Sequence, residues 1–158
     1  MRQDFLALVR TYQKRGVFID TNLLILYIVG SLDPKQIGRH KRTADYSFDD
    51  YDRLSKFVDD FDVRVVSPNV LTETSNLLGR NASLREVLRE FIMTAKDASR
   101  RSSLTASNPY FILCGLTDAG ILEVSQNRYL VATDDGPLEG HLRNAGVDVV
   151  NLDDLRQI

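Results

Sequence analysis

The sequence predicts a three-layer α/β/α domain built on a central parallel sheet of about four to five strands. Short apolar runs, typical of strands that are buried on both faces, recur along the chain. They occupy residues 17–19, 63–66, 129–132 and 147–150. Segments with a helical spacing of apolar residues separate these runs, and strands that alternate with helices indicate a parallel sheet.

The first half of the chain supplies two strands and the helices around them. Helical spacing predicts a lead-in helix over residues 3–14, inside an N-terminal segment of residues 1–15, and Gly16 ends it. Thr21 or Asn22 can cap the helix that follows the first strand. Further along, we expect a polar loop over residues 31–46 and an amphipathic helix from Phe48 to Val58.

The second half repeats this alternation. Ser67 and Pro68 open a helix, because proline is favourable in a first helical turn. Ser83 is expected to cap the next helix, and residues 102–108 to form a turn or loop. Residues 109–124 predict one or two buried helices that join at Gly115. A helix over residues 137–144 and a last half-turn or short helix at residues 152–158 complete the chain.

Composition favours one ordinary globular domain over residues 1–158. The chain is 43% hydrophobic and 27% charged, and 158 residues suffice for a real core. A formal net charge of −2 argues against a purely electrostatic nucleic-acid binder. The N-terminal segment is too charged for a signal peptide, and no apolar run is long enough to cross a membrane. We therefore expect a cytoplasmic protein without a membrane partner.

Carboxylates stand beside the apolar runs at four places. Asp20 follows the first strand, Glu73 lies in the helix after the second, Asp118 in the helix before the third, and Asp134 and Asp135 follow the third. A carboxylate in such a place is costly unless something pairs with it. Ligands of open parallel sheets bind beyond the carboxyl ends of the strands, where the strand order reverses. If the first and third strands are neighbours, these acids meet there.

Converging carboxylates favour a divalent cation. Two carboxylates about 4 Å apart repel by roughly 4 kcal/mol at an effective dielectric of about 20. Oxygen ligands favour Mg²⁺ or Mn²⁺ over zinc, and His40 and His141 share no ligand spacing with Cys114. One or two such ions can activate water and stabilise the leaving oxygen of a phosphodiester. A hydrolytic metal site is therefore the leading hypothesis.

At these residues the chain resembles the PIN-domain ribonucleases, a family that includes the VapC-like toxins of bacterial toxin–antitoxin modules. The similarity spans roughly residues 16–155. Asp20-Thr21-Asn22 looks like the family's opening motif, and Glu73 like its helical glutamate. Asp118-Ala119 is similar to the third acid. Thr133-Asp134-Asp135 resembles the Thr-any-Asp turn, which puts Asp135 in the usual ligand position.

The resemblance implies a PIN-like, Rossmann-like fold and a divalent-metal-dependent endoribonuclease that cleaves RNA by metal-activated water. The implied catalytic and metal-binding residues are Asp20, Glu73, Asp118 and Asp135. Asp134 is an adjacent acid that either binds a second ion or caps a helix. The resemblance also suggests a toxin or defence role and admits an antitoxin protein and a homodimer as partners.

Other polar residues are candidates for supporting roles. Thr21, Asn22 and Thr133 are candidates for hydrogen bonds that orient the ligands, although each can equally be a capping residue. Arginine grips phosphate well, so the basic residues around residues 80–101 are the first candidates for RNA binding. They are Arg80, Arg85, Arg89, Lys96, Arg100 and Arg101, and the loop residues Arg39, Lys41 and Arg42 come second.

Plainer interpretations remain open for each acid. Asp20 can be only a helix N-cap, Glu73 an exposed helical residue, and Asp118 a cap after Gly115. The basic residues can form a solvated helix face. Two other functions also remain open. A phosphoacceptor or phosphoryl-transfer domain also uses acids at this edge of a parallel sheet, but no lysine follows an evident strand. A non-catalytic PIN-like scaffold would be expected to lose acids.

Overall fold

The computed structural model describes residues 2–158, and Met1, which the predicted domain includes, lies outside the described residues. One five-stranded sheet forms the centre of the molecule. Its strands are β1 (Val17–Ile19), β2 (Arg64–Val66), β3 (Lys96–Asp97), β4 (Leu130–Thr133) and β5 (Val149–Asn151). The spatial order is β3-β2-β1-β4-β5, and every neighbouring pair is parallel. The predicted α/β fold class is confirmed.

Nine α-helices flank the sheet in the described part of the chain. They are α1 (Arg2–Tyr12), α2 (Thr21–Leu32), α3 (Phe48–Asp59), α4 (Pro68–Leu78), α5 (Ala82–Thr94), α6 (Ser102–Ala106), α7 (Tyr110–Ser125), α8 (Gly136–Asn144) and α9 (Leu152–Arg156). None of them is long and apolar enough to cross a membrane.

Both faces of the central strands are covered. All residues of β1 and β4 are buried, and successive residues of a strand point to opposite faces. Consequently helices must pack on each side of the sheet, which gives the three layers that the apolar runs predict. The helix α2 is apolar almost all round and has its residues 23–26 buried to within 1% exposure. Such a helix belongs to the interior.

A close approach fixes α2 against α3. A Cβ atom at Gly30 would lie 2.2 Å from the ring of Tyr51 on α3. Only glycine leaves room for the ring there, so this contact sets the distance between the two helices. The position of α2 matters for the site, since its first turn lies at the carboxyl edge of the sheet.

Three local predictions are wrong, and one strand was not predicted. Asp20, and not Thr21 or Asn22, caps α2, because its side chain accepts from the Thr21 N–H. Asn81, and not Ser83, caps α5, because the Asn81 side chain accepts from the Leu84 N–H. Residues 102–106 form the short helix α6 instead of a loop. The edge strand β3 was not predicted, since two exposed polar residues carry no apolar signal. The predicted joint at Gly115 is present, where φ is +80° and α7 is broken into two segments.

Candidate metal centre

The centre of the candidate site is the junction of β1 and β4. The register pairs Ile19 with Ala132, so Asp20 and Thr133 come next at the same carboxyl edge. The Thr133 hydroxyl donates to Asp20 Oδ2 at 2.8 Å. The sheet continues to β2 and β3 on one side of this junction and to β5 on the other. Asp20 therefore lies at the switch point, where open parallel sheets bind ligands.

Asp20 is a buried carboxylate, 7% exposed, that also caps a helix. Its Oδ1 atom accepts from the Thr21 N–H at 2.7 Å. Burial raises its pKa to about 6, although the two hydrogen bonds act in the opposite direction. The charges of Asp134 and Asp135 raise this pKa further. The plain role of helix cap is thus real, but it leaves the carboxylate in an unfavourable, negatively charged surrounding.

Glu73 links three elements at this edge, although its side chain is exposed. Its Oε2 atom accepts from the Thr21 hydroxyl of α2 at 3.1 Å, and its Oε1 atom accepts from the Thr117 hydroxyl of α7 at 2.8 Å. These two bonds hold the carboxylate of α4 beside the start of α2 and the second segment of α7. An exposed glutamate with no further role would not need two such donors.

Asp118 is the most strongly perturbed acid of the group. It is half-buried on α7, and no donor within residues 2–158 meets its carboxylate. Burial raises its pKa to about 7, and the charges of Asp20, Asp135 and Glu73 add to this effect. No cationic side chain acts against them on Asp118 or Asp20. The four predicted ligands therefore share one field of negative charge.

Asp134 and Asp135 have different surroundings. The Asp135 side chain caps α8, since its Oδ1 accepts from the Leu138 N–H at 2.9 Å, and its charge acts on both Asp20 and Asp118. Asp134 accepts from Asn22 Nδ2 at 3.2 Å and from the Tyr46 hydroxyl. Both oxygens of Asp134 thus have a neutral donor, whereas Asp135 keeps one oxygen outside the cap.

The predicted supporting residues all contact candidate acids. Thr21 donates to Glu73, Asn22 to Asp134 and Thr133 to Asp20. Sequence reasoning missed two further donors, Thr117 and Tyr46. The position of Thr117 next to Asp118 was a usable signal, because both follow the break at Gly115. Nothing in the polar loop marked Tyr46, whose contact with Asp134 spans 88 positions of sequence.

The site is not preassembled as a ligand set. Within residues 2–158, no three His, Cys, Asp or Glu side chains already stand together as a group that could hold a metal ion. The donor chemistry nevertheless fits a hard divalent cation, because the groups that hydrogen bonds bring together at this edge are carboxylate and hydroxyl oxygens. Burial, and to a smaller extent the neighbouring carboxylates, raises the pKa values of Asp20 and Asp118, and a bound cation would act against both effects.

The basic candidates for RNA binding are exposed, and most have no ionic partner. Arg89 pairs with Glu86, and Arg100 with Glu123. The others have no carboxylate partner in the described chain; they are Arg80, Arg85, Lys96, Arg101, Arg39, Lys41 and Arg42. These side chains are accessible to an anion.

Comparisons with family models, with curated proteins and with solved structures find no match to this chain.

Proposed function

We propose that this protein is a divalent-metal-dependent endoribonuclease of the PIN type, with Mg²⁺ or Mn²⁺ as its cofactor. The observation that carries the proposal is the field of negative charge at the β1–β4 switch point. The charges of Asp20, Asp135 and Glu73 raise the pKa of Asp118, those of Asp134 and Asp135 raise the pKa of Asp20, and no cationic side chain lowers either pKa. A fold does not keep such an arrangement for stability, since like charges raise its free energy.

Each acid has a distinct role in this proposal. Asp20, Asp118 and the uncapped oxygen of Asp135 would hold one or two ions, and Glu73 would complete the set from α4. A divalent ion held here supplies Lewis-acid activation of water and offsets the charge of the scissile phosphate. The chain's own donors Thr133, Thr21 and Thr117 hold Asp20 and Glu73 in place. Such orientation by neighbouring hydrogen bonds commonly decides metal affinity.

Two alternative functions receive less support. A phosphoacceptor domain would need a lysine beside its acids, but no lysine contributes to the raised pKa of Asp20 or Asp118. A non-catalytic scaffold would have no reason to retain four mutually repelling carboxylates. We further propose a cytoplasmic toxin or defence role, with an antitoxin protein or a second copy of the chain as partner, on the family resemblance alone.

A cleavage assay on a fluorescent single-stranded RNA tests the proposal. Wild-type protein should cut the RNA with Mn²⁺ and stop on addition of EDTA. Asp118→Asn should lower the rate at least ~100-fold, because a carboxylate that ligates a catalytic ion is hard to replace. Asp118 is chosen over Asp20 because it caps no helix, so its substitution leaves the fold intact.

A matched pair of glutamates supplies the control. Glu73→Gln should lower the rate of cleavage, whereas Glu90→Gln, on the neighbouring helix α5, should leave it unchanged. Both residues are exposed helical glutamates, but only Glu73 accepts the threonine hydroxyls at the site. Cleavage that persists in EDTA or in Asp118→Asn would refute the assignment.

A further inference from the structure

A polar pocket lies between the edge strand β3 and the C-terminal end of α7. Its volume of about 490 Å³ falls within the range of about 300–1,000 Å³ that small-molecule sites occupy. Among its lining residues are Lys96, Arg100, Glu123, Arg128 and Tyr129. Glu123 is five residues beyond Asp118 on α7, so it lies roughly 7.5 Å further along the helix and about 140° around it. The pocket is therefore separate from the acids of the candidate metal centre.

Two cations of the pocket lining, Lys96 and Arg128, have no carboxylate partner in the described residues, although the exposed carboxylate of Asp97 also lines the pocket. Lys96 Nζ lies 5.4 Å from the centroid of the Tyr129 ring. Arg128, which precedes Tyr129, is exposed and has no carboxylate partner in the described residues. Lys96 and Arg128 thus line the same pocket without a carboxylate partner, on a chain whose formal net charge is −2. Their ammonium and guanidinium groups are the donors that a phosphate group takes.

The pocket also carries an acceptor that lacks a donor. The Glu123 side chain is only 6% exposed, and its Oε2 atom accepts from Arg100 Nη1 at 3.2 Å. Its Oε1 atom is buried and has no hydrogen-bond partner among residues 2–158. A buried acceptor without a donor is unfavourable. A ligand that brings an N–H or O–H group to this carboxylate would remove the penalty.

We propose that this pocket binds one nucleotide unit. Its phosphate would lie between Lys96 and Arg128, and a donor of its base or ribose would meet Glu123. A bare phosphate would leave the carboxylate without a donor, and an amine would leave the two cations without an anion. A free nucleoside monophosphate and one nucleotide of an RNA strand share the required chemistry. The proposal does not depend on the metal centre, so the two can fail separately.

The test uses the full chain in EDTA, which removes any contribution of a divalent ion. Adenosine monophosphate, ribose 5-phosphate, inorganic phosphate and a short RNA are titrated in turn, and backbone amide resonances are followed by NMR. The adenosine nucleotide should bind more tightly than ribose 5-phosphate, and ribose 5-phosphate more tightly than phosphate. The largest shifts should fall on Ala98, Ser99 and Asn127, which also line the pocket. Tighter binding of the short RNA than of adenosine monophosphate would indicate that the pocket binds one nucleotide of an RNA strand.

Two substitutions test the phosphate-binding and the donor-binding residues of the pocket separately. Arg128→Gln should weaken nucleotide binding about tenfold, the size expected for one charge-assisted hydrogen bond. Glu123→Gln should weaken the nucleotide but not inorganic phosphate. Arg10→Gln, an exposed arginine on α1, is the matched control and should change nothing. Because Arg128 is exposed, its variant should fold even if the Glu123 variant does not. Equal affinity for phosphate and nucleotide, or binding that Arg128→Gln leaves intact, would overturn the proposal.

Discussion

Asp20 and Asp50 are two buried aspartates at helix starts, but only Asp50 has a cationic partner within the chain. Asp50 is 5% exposed and Asp20 is 7% exposed. Asp50 accepts from Arg156 Nε at 2.8 Å and from the Ser47 N–H at 2.9 Å in a capping box. The bond from Arg156 holds the pKa of Asp50 below its usual value of 3.8, whereas burial raises the pKa of Asp20 to about 6.

This difference in pKa and in charged partners indicates which of the two carboxylates is structural. Asp50 joins α3 to α9 and has its counter-charge within the chain. Asp20 has hydrogen bonds but no counter-charge, and further acids surround it. The chain supplies a cation for Asp50 but none for Asp20. We therefore expect a bound cation to supply the counter-charge of Asp20. Four measurements test this contrast between Asp20 and Asp50.

The largest effect should come from the metal. At an ion concentration of about 100 times the dissociation constant, binding to the folded state alone stabilises it by about 2.7 kcal/mol, or roughly 5–10 °C in melting temperature. Mn²⁺ should give such a rise over EDTA in the wild type and in Asp50→Asn, but not in Asp118→Asn. The rise should be larger at pH 8 than at pH 6, because the ion displaces protons from Asp20 and Asp118. No shift at millimolar Mn²⁺ would count against the shared site.

Removal of the paired charge should have the next largest effect. Asp50→Asn removes the charge that pairs with Arg156, which then keeps only Asp153, and weakens the capping box, at a cost of about 2 kcal/mol. The pKa of Asp50 is lowered in the folded state, so its stabilisation exists above the usual value of 3.8 and is lost as the pH falls further. Chemical denaturation of wild type and variant should therefore differ at pH 7, and the difference should shrink as the pH falls below 3.8. Asp62→Asn, a substitution of an exposed acid, is the control. An Asp50→Asn variant as stable as the wild type would contradict the structural role of Asp50.

Neutralising the unpaired acid Asp118 should raise the free energy of unfolding, whereas Asp50→Asn should lower it. Asp118→Asn should stabilise the metal-free protein at pH 8 by about 1–2 kcal/mol, a value reduced for the partial exposure of Asp118. The pKa of Asp118 is about 7 in the folded chain, against a usual value of 3.8. Between these values the folded state binds more protons than the unfolded state, so stability falls as the pH rises. The gain should hence be largest above pH 7 and vanish near pH 4. Destabilisation at pH 8 would show that Asp118 has a structural role.

The elements around the acids were predictable because their signals are local. The apolar run before Asp20 and the run before Thr133 mark strands, and the registered pairing of β1 with β4 follows from the expected switch point. Gly115 was likewise predictable, since a glycine inside a long apolar stretch marks a break. In each case the residues that decide the structure lie within a few positions of one another.

The contacts that distinguish the two aspartates were not predictable in this way. Asp50 and Arg156 are 106 positions apart, and Tyr46 and Asp134 are 88 apart. Each pair depends on how a polar segment folds over the sheet, for which one sequence carries no periodic signal. The exposed strand β3 is a similar case, because its pairing with β2 and not its side chains defines it. Sequence therefore indicated the acids and their donors Thr21, Asn22 and Thr133, but not the distant partners Arg156 and Tyr46.

The smallest effect should come from the loop that reaches the site. Tyr46→Phe removes the donor to Asp134 from a half-buried tyrosine, and the net loss of such a hydrogen bond is about 1 kcal/mol. Tyr51→Phe is the matched control, because the Tyr51 hydroxyl has only an exposed contact of 3.5 Å with Ser31, and it should cost less than about 0.5 kcal/mol. Denaturant melts of both variants in EDTA measure the difference. If Asp134 belongs with Asp50 among acids that the chain itself satisfies, Tyr46→Phe destabilises and the Mn²⁺ shift survives. Loss of the Mn²⁺ shift in Tyr46→Phe would instead indicate that Asp134, like Asp20, contributes to metal binding.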